Sequence, residues 1–313
     1  MIGAMPKEVR VFAPATVSNL GPGFDILGLA LDEPGDVVTA RLVTEPGVHL
    51  VRVTGDGGLL PREAHRNTAA IAARATLEKA GIREVGIELE LSKGMPIGSG
   101  MGSSAASAAA AATAVNLLLG TPLRKLELVG PCLEAEAAVS GRHADNVAPA
   151  LMGGLILVRA IEPVDVLRLP VPEGIRVVVV TPEYQVSTRK AREVLPDRVR
   201  LSEMVETAAN LGAFVSACYA GDLGLWARCM VDQVVAPVRA RLVPGSEDAM
   251  HAALGAGALA SSISGSGPSI FAICHSTRCA AAVGAAMIQA FREAGLNATM
   301  VESPASCPGA RRL

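Results

Sequence analysis

The feature that most constrains this chain is a glycine-rich segment, KGMPIGSGMGSSAA, running from Lys93 to Ala106. Its glycines alternate at Gly98, Gly100 and Gly102, and two serines and a long alanine run follow them. Alternating glycines allow positive φ angles and turn backbone N–H groups toward one point. The alanine run predicts a helix, whose N-terminus carries N–H groups without partners and the positive end of the helix dipole. The segment therefore predicts a loop that binds an anion such as a nucleotide phosphate.

The flanking residues give this loop a defined setting. Val85–Leu91 alternates apolar and polar residues, which predicts a half-buried strand. Ser103–Leu119 consists largely of helix formers and is followed by Gly120 and Pro122, the usual signals for a helix end. The loop has no lysine after Lys93, so it is not a Walker loop, and its glycine spacing differs from the dinucleotide fingerprint. The alternative is a flexible turn before a buried alanine helix. The helix itself is too short and too polar to span a membrane, so we interpret it as a packed core helix.

Composition limits the class of protein. The 313 residues are 50% hydrophobic, 19% charged and only 3% aromatic, so the core must be built from alanine and aliphatic side chains. A net charge of −2 provides no basic surface for nucleic acid. The six cysteines form no C-x-x-C pair and no zinc-like cluster, which indicates reduced, mostly buried thiols. With no apolar signal segment near residues 1–10, we expect a cytoplasmic protein with neither a membrane nor a nucleic-acid partner.

Hydrophobic patterns elsewhere predict two α+β layers that meet near residue 170. Residues 13–31, APATVSNLGPGFDILGLAL, mix small residues, prolines and glycines and are predicted to form a shaped loop without regular structure. The predicted strands are 9–12, 37–43, 48–53, 85–91, 155–158, 177–180, 270–274 and 298–302. The predicted helices are 67–80, 103–119, 126–139, 189–193, 201–219, 223–231, 251–259 and 278–294.

Three separated motifs together indicate a family. They are APATVSNLGPGFDILGL at 13–29, MPIGSGMGSSAAS at 95–107 and ISGSGPSIFA at 263–272. This combination resembles the GHMP small-molecule kinase superfamily. The strings EAEA, SGRHADNVAPALMGG, VSTRKAREVLP and APVRARLVPG are most similar to the members that phosphorylate L-homoserine in threonine biosynthesis.

The resemblance implies a two-domain α+β fold. It has an N-terminal mixed α/β domain with the phosphate loop, here 1–170, and a ferredoxin-like C-terminal domain, here 171–313. It also implies ATP as phosphate donor, Mg²⁺, an active site between the domains and a homodimer. The first motif would close the domain interface, and the third would support the phosphate loop through a tight glycine crossing.

ATP and its metal ion are assigned to the loop and to nearby oxygen ligands. Backbone donors would come from the loop, and Asn67 at the head of a helix would contact adenine. Mg²⁺ prefers oxygen ligands, so we expect the Ser104 hydroxyl and a carboxylate to bind it. By similarity Glu136 is favoured over Glu134 as the metal-binding carboxylate, and Glu134 is better explained as a solvated helix residue. The alternative role for Ser104 is a helix N-cap, but Ser103 suits that position better. The nucleotide-binding residues are Pro96, Ile97, Gly98, Ser99, Gly100, Met101, Gly102, Ser103, Ser104, Ala105, Ala106 and Asn67.

A zwitterionic substrate needs a carboxylate for its ammonium group and guanidinium groups for its carboxylate. Asp25, with Asn19 beside it, is predicted to bind the ammonium group, and Arg192 and Arg239 the carboxylate. Thr188 is a predicted neighbour, and His143 is either a substrate contact or a structural hydrogen-bonding residue.

Asn146 stands where related kinases carry a catalytic aspartate, and an amide cannot accept a proton at neutral pH. We therefore expect Asn146 to orient the substrate hydroxyl while its proton passes to phosphate, with Asp145 as a rival base.

Three alternative functions remain at this stage. One is a kinase of the same superfamily that acts on another small alcohol, such as mevalonate or shikimate. The second is a metabolite-binding protein without catalytic activity on the same scaffold. The third, a nicotinamide-dependent dehydrogenase, is disfavoured by the glycine spacing.

Overall fold

The computed structural model describes residues 6–313 and contains two β-sheets. The first sheet has seven strands, with the order β11-β1-β2-β4-β3; β5 pairs with the first part of β2, and β6 pairs with β5. All its strand pairs are antiparallel except β3 with β4. Its strands are β1 (Glu8–Asn19), β2 (Gly23–Val43), β3 (Gly47–Thr54), β4 (Gly86–Ser92), β5 (Leu155–Ile161), β6 (Val164–Leu169) and β11 (Arg311–Arg312).

Four helices accompany this sheet, and the alanine-rich one lies at their centre. They are α1 (Thr68–Lys79), α2 (Ser103–Leu118), α3 (Val129–Ala137) and α4 (Val147–Met152). Helix α2 is buried on nearly every side and packs against α1, α3, α4 and the first two strands. A helix that is apolar all round must lie inside a protein, and alanine lets its neighbours approach closely. The phosphate loop is thus attached to a helix that is enclosed by the rest of this half of the molecule.

The second sheet is antiparallel and has the order β10-β7-β9-β8. Its strands are β7 (Arg176–Pro182), β8 (Ala260–Ile263), β9 (Ile270–Cys274) and β10 (Ala298–Pro304). Helices α9 (Ser246–Gly255) and α10 (Thr277–Glu293) pack on this sheet, and the buried residues of α10 recur three or four positions apart. The other helices of this half are α5 (Thr188–Glu193), α6 (Leu201–Ala220), α7 (Leu223–Cys229) and α8 (Ala236–Ala240).

The prediction of an irregular loop over residues 13–31 is wrong. These residues form most of β1 and the start of β2, joined by a tight turn at residues 20–22. Positive φ angles at Asn19, Leu20 and Gly21 (76°, 43° and 73°) make the turn. Residues 13–19 are buried throughout, so they lack the alternation that marks a strand, and a register shift after Pro14 accommodates the proline. The helix of the alanine run, the long helix near residue 280 and the apolar strands of the second sheet are confirmed.

The state of the cysteines and the polarity of the helices agree with the composition. All six cysteines are free and five of them are buried. Over residues 6–313, no helix combines the length and apolarity needed to cross a membrane.

Candidate active site

The phosphate loop has the predicted conformation between β4 and α2. Gly98, Gly100 and Gly102 have φ angles of 69°, 77° and 66°, the left-handed region that favours glycine. A Cβ atom on Gly100 would lie 2.5 Å from the Ser264 carbonyl oxygen, and one on Gly102 would lie 2.1 Å from Thr16 Oγ1. The N-cap of α2 is Gly102 and not Ser103, which is the first helical residue, so the free N–H groups of the first helical turn follow the loop directly.

The third motif crosses behind this loop, as predicted. Ser264 Oγ donates a hydrogen bond to the Gly100 carbonyl oxygen at 2.7 Å. Ser269 Oγ donates to the Ser99 carbonyl oxygen at 2.6 Å. On the other side, the Thr16 N–H donates to the Met101 carbonyl oxygen at 3.0 Å. The first and third motifs therefore bind carbonyl oxygens of the loop. The N–H groups of the loop take no part in these hydrogen bonds.

A buried ion pair that the sequence analysis missed lies beneath the loop. The Lys93 ammonium binds Asp36 and also donates to the Ser103 carbonyl oxygen and to Ser107 Oγ, both at 2.9 Å. Asp36 in turn accepts from Ser107 Oγ at 2.6 Å and from the Gly94 N–H at 3.1 Å. Burial lowers the pKa of Lys93, and the Asp36 charge opposes that shift. The pair ties β2 to both ends of the phosphate loop.

The first turn of α2 faces a buried carboxylate. Ser104 Oγ lies 2.9 Å and 3.2 Å from the two carboxylate oxygens of Glu136, which also accepts from Ser140 Oγ. Burial raises the pKa of Glu136. Glu134 is exposed on the same helix, α3. The structure thus brings Glu136, and not Glu134, to the loop.

These groups fit a magnesium ion that is bound mainly through phosphate. Ser104 and Glu136 supply the oxygen donors that Mg²⁺ prefers. No cluster of three or more His, Cys, Asp or Glu side chains occurs within residues 6–313. A magnesium ion with few protein ligands takes the rest from substrate phosphates and water, as this donor set requires.

Asn146 belongs to a polar network with the first motif. Its Oδ1 accepts a hydrogen bond from Thr16 Oγ1 at 2.7 Å, and its Nδ2 donates to Ser18 Oγ at 3.1 Å. Thr16 and Ser18 are site residues that the sequence analysis did not identify, although they occupy alternate positions of the first motif and so share one face of β1. The orientation of the Asn146 amide is therefore fixed by two hydroxyl groups.

The neighbouring Asp145 is buried and has one carboxylate oxygen without a hydrogen-bond partner in the described part of the chain. Burial, together with the negative charge of Asp25, raises the pKa of Asp145 to about 7. This carboxyl group therefore changes its charge near neutral pH.

The predicted amino-acid-binding residues form one charged cluster. Arg192 and Asp25 make two hydrogen bonds of 2.8 Å and 3.1 Å, and His143 Nδ1 lies 3.5 Å from Asp25. Burial lowers the pKa of His143. Arg239 is almost fully buried and donates to the carbonyl oxygens of Ala191 and Gly265 at 3.1 Å and 2.8 Å.

Asn19 has a structural role that its sequence context did not reveal. Its Oδ1 accepts from the Asp25 N–H at 3.1 Å, and its Nδ2 donates to the Gly265 carbonyl oxygen at 3.2 Å. Asn19 therefore connects the first motif to the third while it supports Asp25, whose φ of 61° is in the left-handed region.

Asn67 caps α1: it accepts from the Ala69 N–H at 3.1 Å and donates to the Pro61 carbonyl oxygen at 2.9 Å. Thr188 is the first residue of α5.

One cavity of about 360 Å³ joins the loop, the carboxylate and the charged cluster. Met101, Ala105 and Ala106 do not line it because their side chains are buried in the core, and Pro96 lines a second cavity nearby. The predicted residues that line the first cavity are Asn19, Asp25, Asn67, Ile97, Gly98, Ser99, Gly100, Gly102, Ser103, Ser104, Glu136, His143, Asn146, Thr188, Arg192 and Arg239.

Comparison with known proteins identifies the family. Residues 67–154 match the model of the GHMP kinases N-terminal domain, and residues 201–293 match that of the GHMP kinases C-terminal domain. A homoserine kinase of Chlorobium phaeobacteroides is 44% identical over 295 residues, covering 91% of this chain and 92% of the relative. The homoserine kinase of Arabidopsis thaliana is 45% identical over 294 residues, covering 92% of this chain and 80% of the relative. The chain belongs to the homoserine kinase family of GHMP kinases.

A solved structure supports this assignment. The homoserine kinase of Cytophaga hutchinsonii is 43% identical and superposes with a TM-score of 0.96 over 100% of this chain and 99% of its own. The Leishmania major mevalonate kinase in complex with R-mevalonate shares only 16% identity, with a TM-score of 0.74, and so shares the fold alone. The two-domain α+β fold of the GHMP kinases is confirmed, whereas the domain boundary at residue 170 stays a prediction.

Proposed function

We propose that this chain transfers the γ-phosphate of ATP to the side-chain hydroxyl group of L-homoserine. The observation that supports this most strongly is the composition of the cavity. A glycine loop at a helix N-terminus suits a triphosphate, and a carboxylate with two guanidinium groups suits an amino acid. Proteins named homoserine kinase, at 43–45% identity over most of the chain, agree with both halves of this site.

The phosphate loop acts by positioning and by neutralising charge, which is most of what phosphoryl transfer requires. The N–H groups of residues 98–104 bind the triphosphate, and Ser104 and Glu136 would hold Mg²⁺ beside it. When bound, Mg²⁺ would supply positive charge that offsets the charge of the transferring phosphates. Asn67, which caps α1 and lines the same cavity, contacts the adenine.

The charged cluster binds the acceptor. Asp25 takes the substrate ammonium group, while Arg192 and Arg239 take its carboxylate. His143 and Asn19 keep Asp25 in place, and Thr188 lines the same wall of the cavity. Asp25 and Arg192 bind each other in this structure. A zwitterionic substrate replaces that contact with two others, from its ammonium group to Asp25 and from its carboxylate to Arg192.

Asn146 orients the reacting hydroxyl group through the amide hydrogen that does not bind Ser18. The hydroxyl oxygen forms a bond to the γ-phosphorus as the bond to the bridging oxygen of ADP breaks. The hydroxyl proton passes to the transferred phosphate, because a loose, metaphosphate-like transition state needs little help from a base. Cytoplasmic location and a homodimer stay predictions from the sequence.

The test is a coupled ADP-release assay with ATP, Mg²⁺ and a panel of hydroxyl compounds. We expect L-homoserine to have the highest kcat/KM, with mevalonate and shikimate far lower because they lack an ammonium group. A higher kcat/KM for either alcohol would contradict the assignment of Asp25. Nucleotide binding without turnover of any compound would instead indicate a metabolite-binding protein without catalytic activity.

A further inference from the structure

Both arginines of the charged cluster contact one aromatic ring. The guanidinium carbon of Arg192 lies 5.5 Å from the centroid of the Phe24 ring, and that of Arg239 lies 5.1 Å from it. These distances are within the range of cation–π attraction. Phe24 is half-buried and does not line the cavity, whereas both arginines do. The ring therefore reaches the cavity through the two guanidinium groups.

The two arginines differ in how they are held. Arg239 is fixed by the carbonyl oxygens of Ala191 and Gly265. Arg192 binds Asp25 through its terminal nitrogens, and its buried Nε has no hydrogen-bond partner within residues 6–313. Once a substrate ammonium group occupies Asp25, Arg192 loses that support. The contact of Arg192 with the Phe24 ring does not depend on Asp25.

Like charges also oppose this arrangement. The positive charge of Arg192 adds to burial in lowering the pKa of Arg239. Two guanidinium groups that repel each other need an attractive contact on another side to stay together. The negative face of an aromatic ring supplies one without occupying the atoms that must bind a carboxylate.

We propose that Phe24 is a positioning residue for the substrate carboxylate. Its ring holds Arg192 and Arg239 side by side when Asp25 binds the substrate ammonium group. The inference rests on the proposed function. It concerns the affinity for one part of the acceptor, and it leaves ATP binding and the chemical step to other residues.

The test compares F24L, which keeps an apolar side chain but removes the ring face, with F24Y, which keeps the face. F12L is the matched control, since Phe12 is also half-buried and its ring lies 4.4 Å from the guanidinium carbon of Arg311 outside the cavity. For F24L we expect the KM for L-homoserine to rise about tenfold. We expect kcat and the KM for ATP to stay within about twofold, and F24Y and F12L to resemble the parent chain.

A second substrate separates positioning from general damage to the fold. 3-Aminopropan-1-ol has the hydroxyl and ammonium groups of homoserine but no carboxylate, so F24L should leave its kcat/KM unchanged. The inference is overturned if F24L lowers kcat/KM equally for both compounds, if F12L raises the homoserine KM as much as F24L does, or if F24L leaves that KM unchanged. Absence of homoserine turnover by the parent chain would overturn the proposed function itself, which is a different result.

Discussion

Replacing Lys93 with methionine tests whether the buried ion pair organises the phosphate loop. The substitution keeps the length and apolar stem of the side chain and removes the charge that faces Asp36. Asp36 is fully buried, so K93M leaves a carboxylate without a counter-ion in the core. The Gly94 N–H and the Ser107 hydroxyl still donate to it, at 3.1 Å and 2.6 Å.

Breaking a buried ion pair typically costs about 3–5 kcal/mol of the free energy of unfolding. The two remaining donors to Asp36 place the expected loss near the lower end, at about 3 kcal/mol. A chain of 313 residues has an unfolding entropy of about 0.7 kcal/mol per degree, so Tm should fall by about 5 °C. Lys93 also holds the Ser103 carbonyl oxygen, so the KM for ATP should rise severalfold as the loop loses its support.

The assay combines thermal unfolding with steady-state kinetics at varied ATP. R124M is the control, because Arg124 makes an exposed salt bridge with Glu127, and exposed pairs of this kind contribute little to stability. In K93M/D36N the second charge is also removed, and we expect more than half of the lost stability to return. The reasoning is refuted if K93M unfolds within 1 °C of R124M, or if K93M/D36N is no more stable than K93M.

Four further predictions concern individual site residues. E136Q should lower Mg²⁺-dependent turnover far more than E134Q, and equal effects in the kinetic assay would remove Glu136 from the metal site. R239A should raise the homoserine KM about tenfold or more through loss of a charge-assisted contact, with the KM for ATP as its internal control. N146A should lower kcat because the hydroxyl loses its orienting donor, and an unchanged kcat would exclude Asn146 from the mechanism. Burial raises the pKa of Asp145 from 3.8 to about 7, so the folded state binds this proton more tightly than the unfolded chain does. Stability contributed by this group is therefore lost as the pH rises from about 4 to above 7, by up to about 4 kcal/mol. D145N should therefore gain stability over the parent chain between pH 5 and pH 8 in denaturant titrations, and a constant difference would contradict the shifted pKa.

The local parts of the site, above all the phosphate loop, could be predicted from the sequence. Alternating glycines before an alanine run predict the loop conformation, because φ angles and helix propensity are properties of a few adjacent residues. The third motif could be interpreted as a backbone crossing for the same reason. In contrast, the second half of β1 was not predicted, because residues 13–19 are buried on both faces and show no alternation. Pro14 and the glycines of the following turn and of β2 are also typical of loops.

The pairings between distant residues could not be predicted. Lys93 and Asp36 are 57 positions apart, and Asp25 and Arg192 are 167 apart. Each of the latter two was predicted as a substrate ligand, but no pattern in the sequence indicates that they bind each other. Phe24 acquires its contacts with Arg192 and Arg239 only when the two halves of the chain fold together.

The central claim is that backbone N–H groups at the start of α2 bind the triphosphate opposite a pocket for an amino acid. A crystal structure with a non-hydrolysable ATP analogue, Mg²⁺ and L-homoserine tests it most directly. We expect the phosphates within hydrogen-bonding distance of the N–H groups of residues 98–104, the metal ion on Ser104 and Glu136, and the homoserine carboxylate on Arg192 and Arg239. A triphosphate bound elsewhere, with this loop unliganded, would contradict the account.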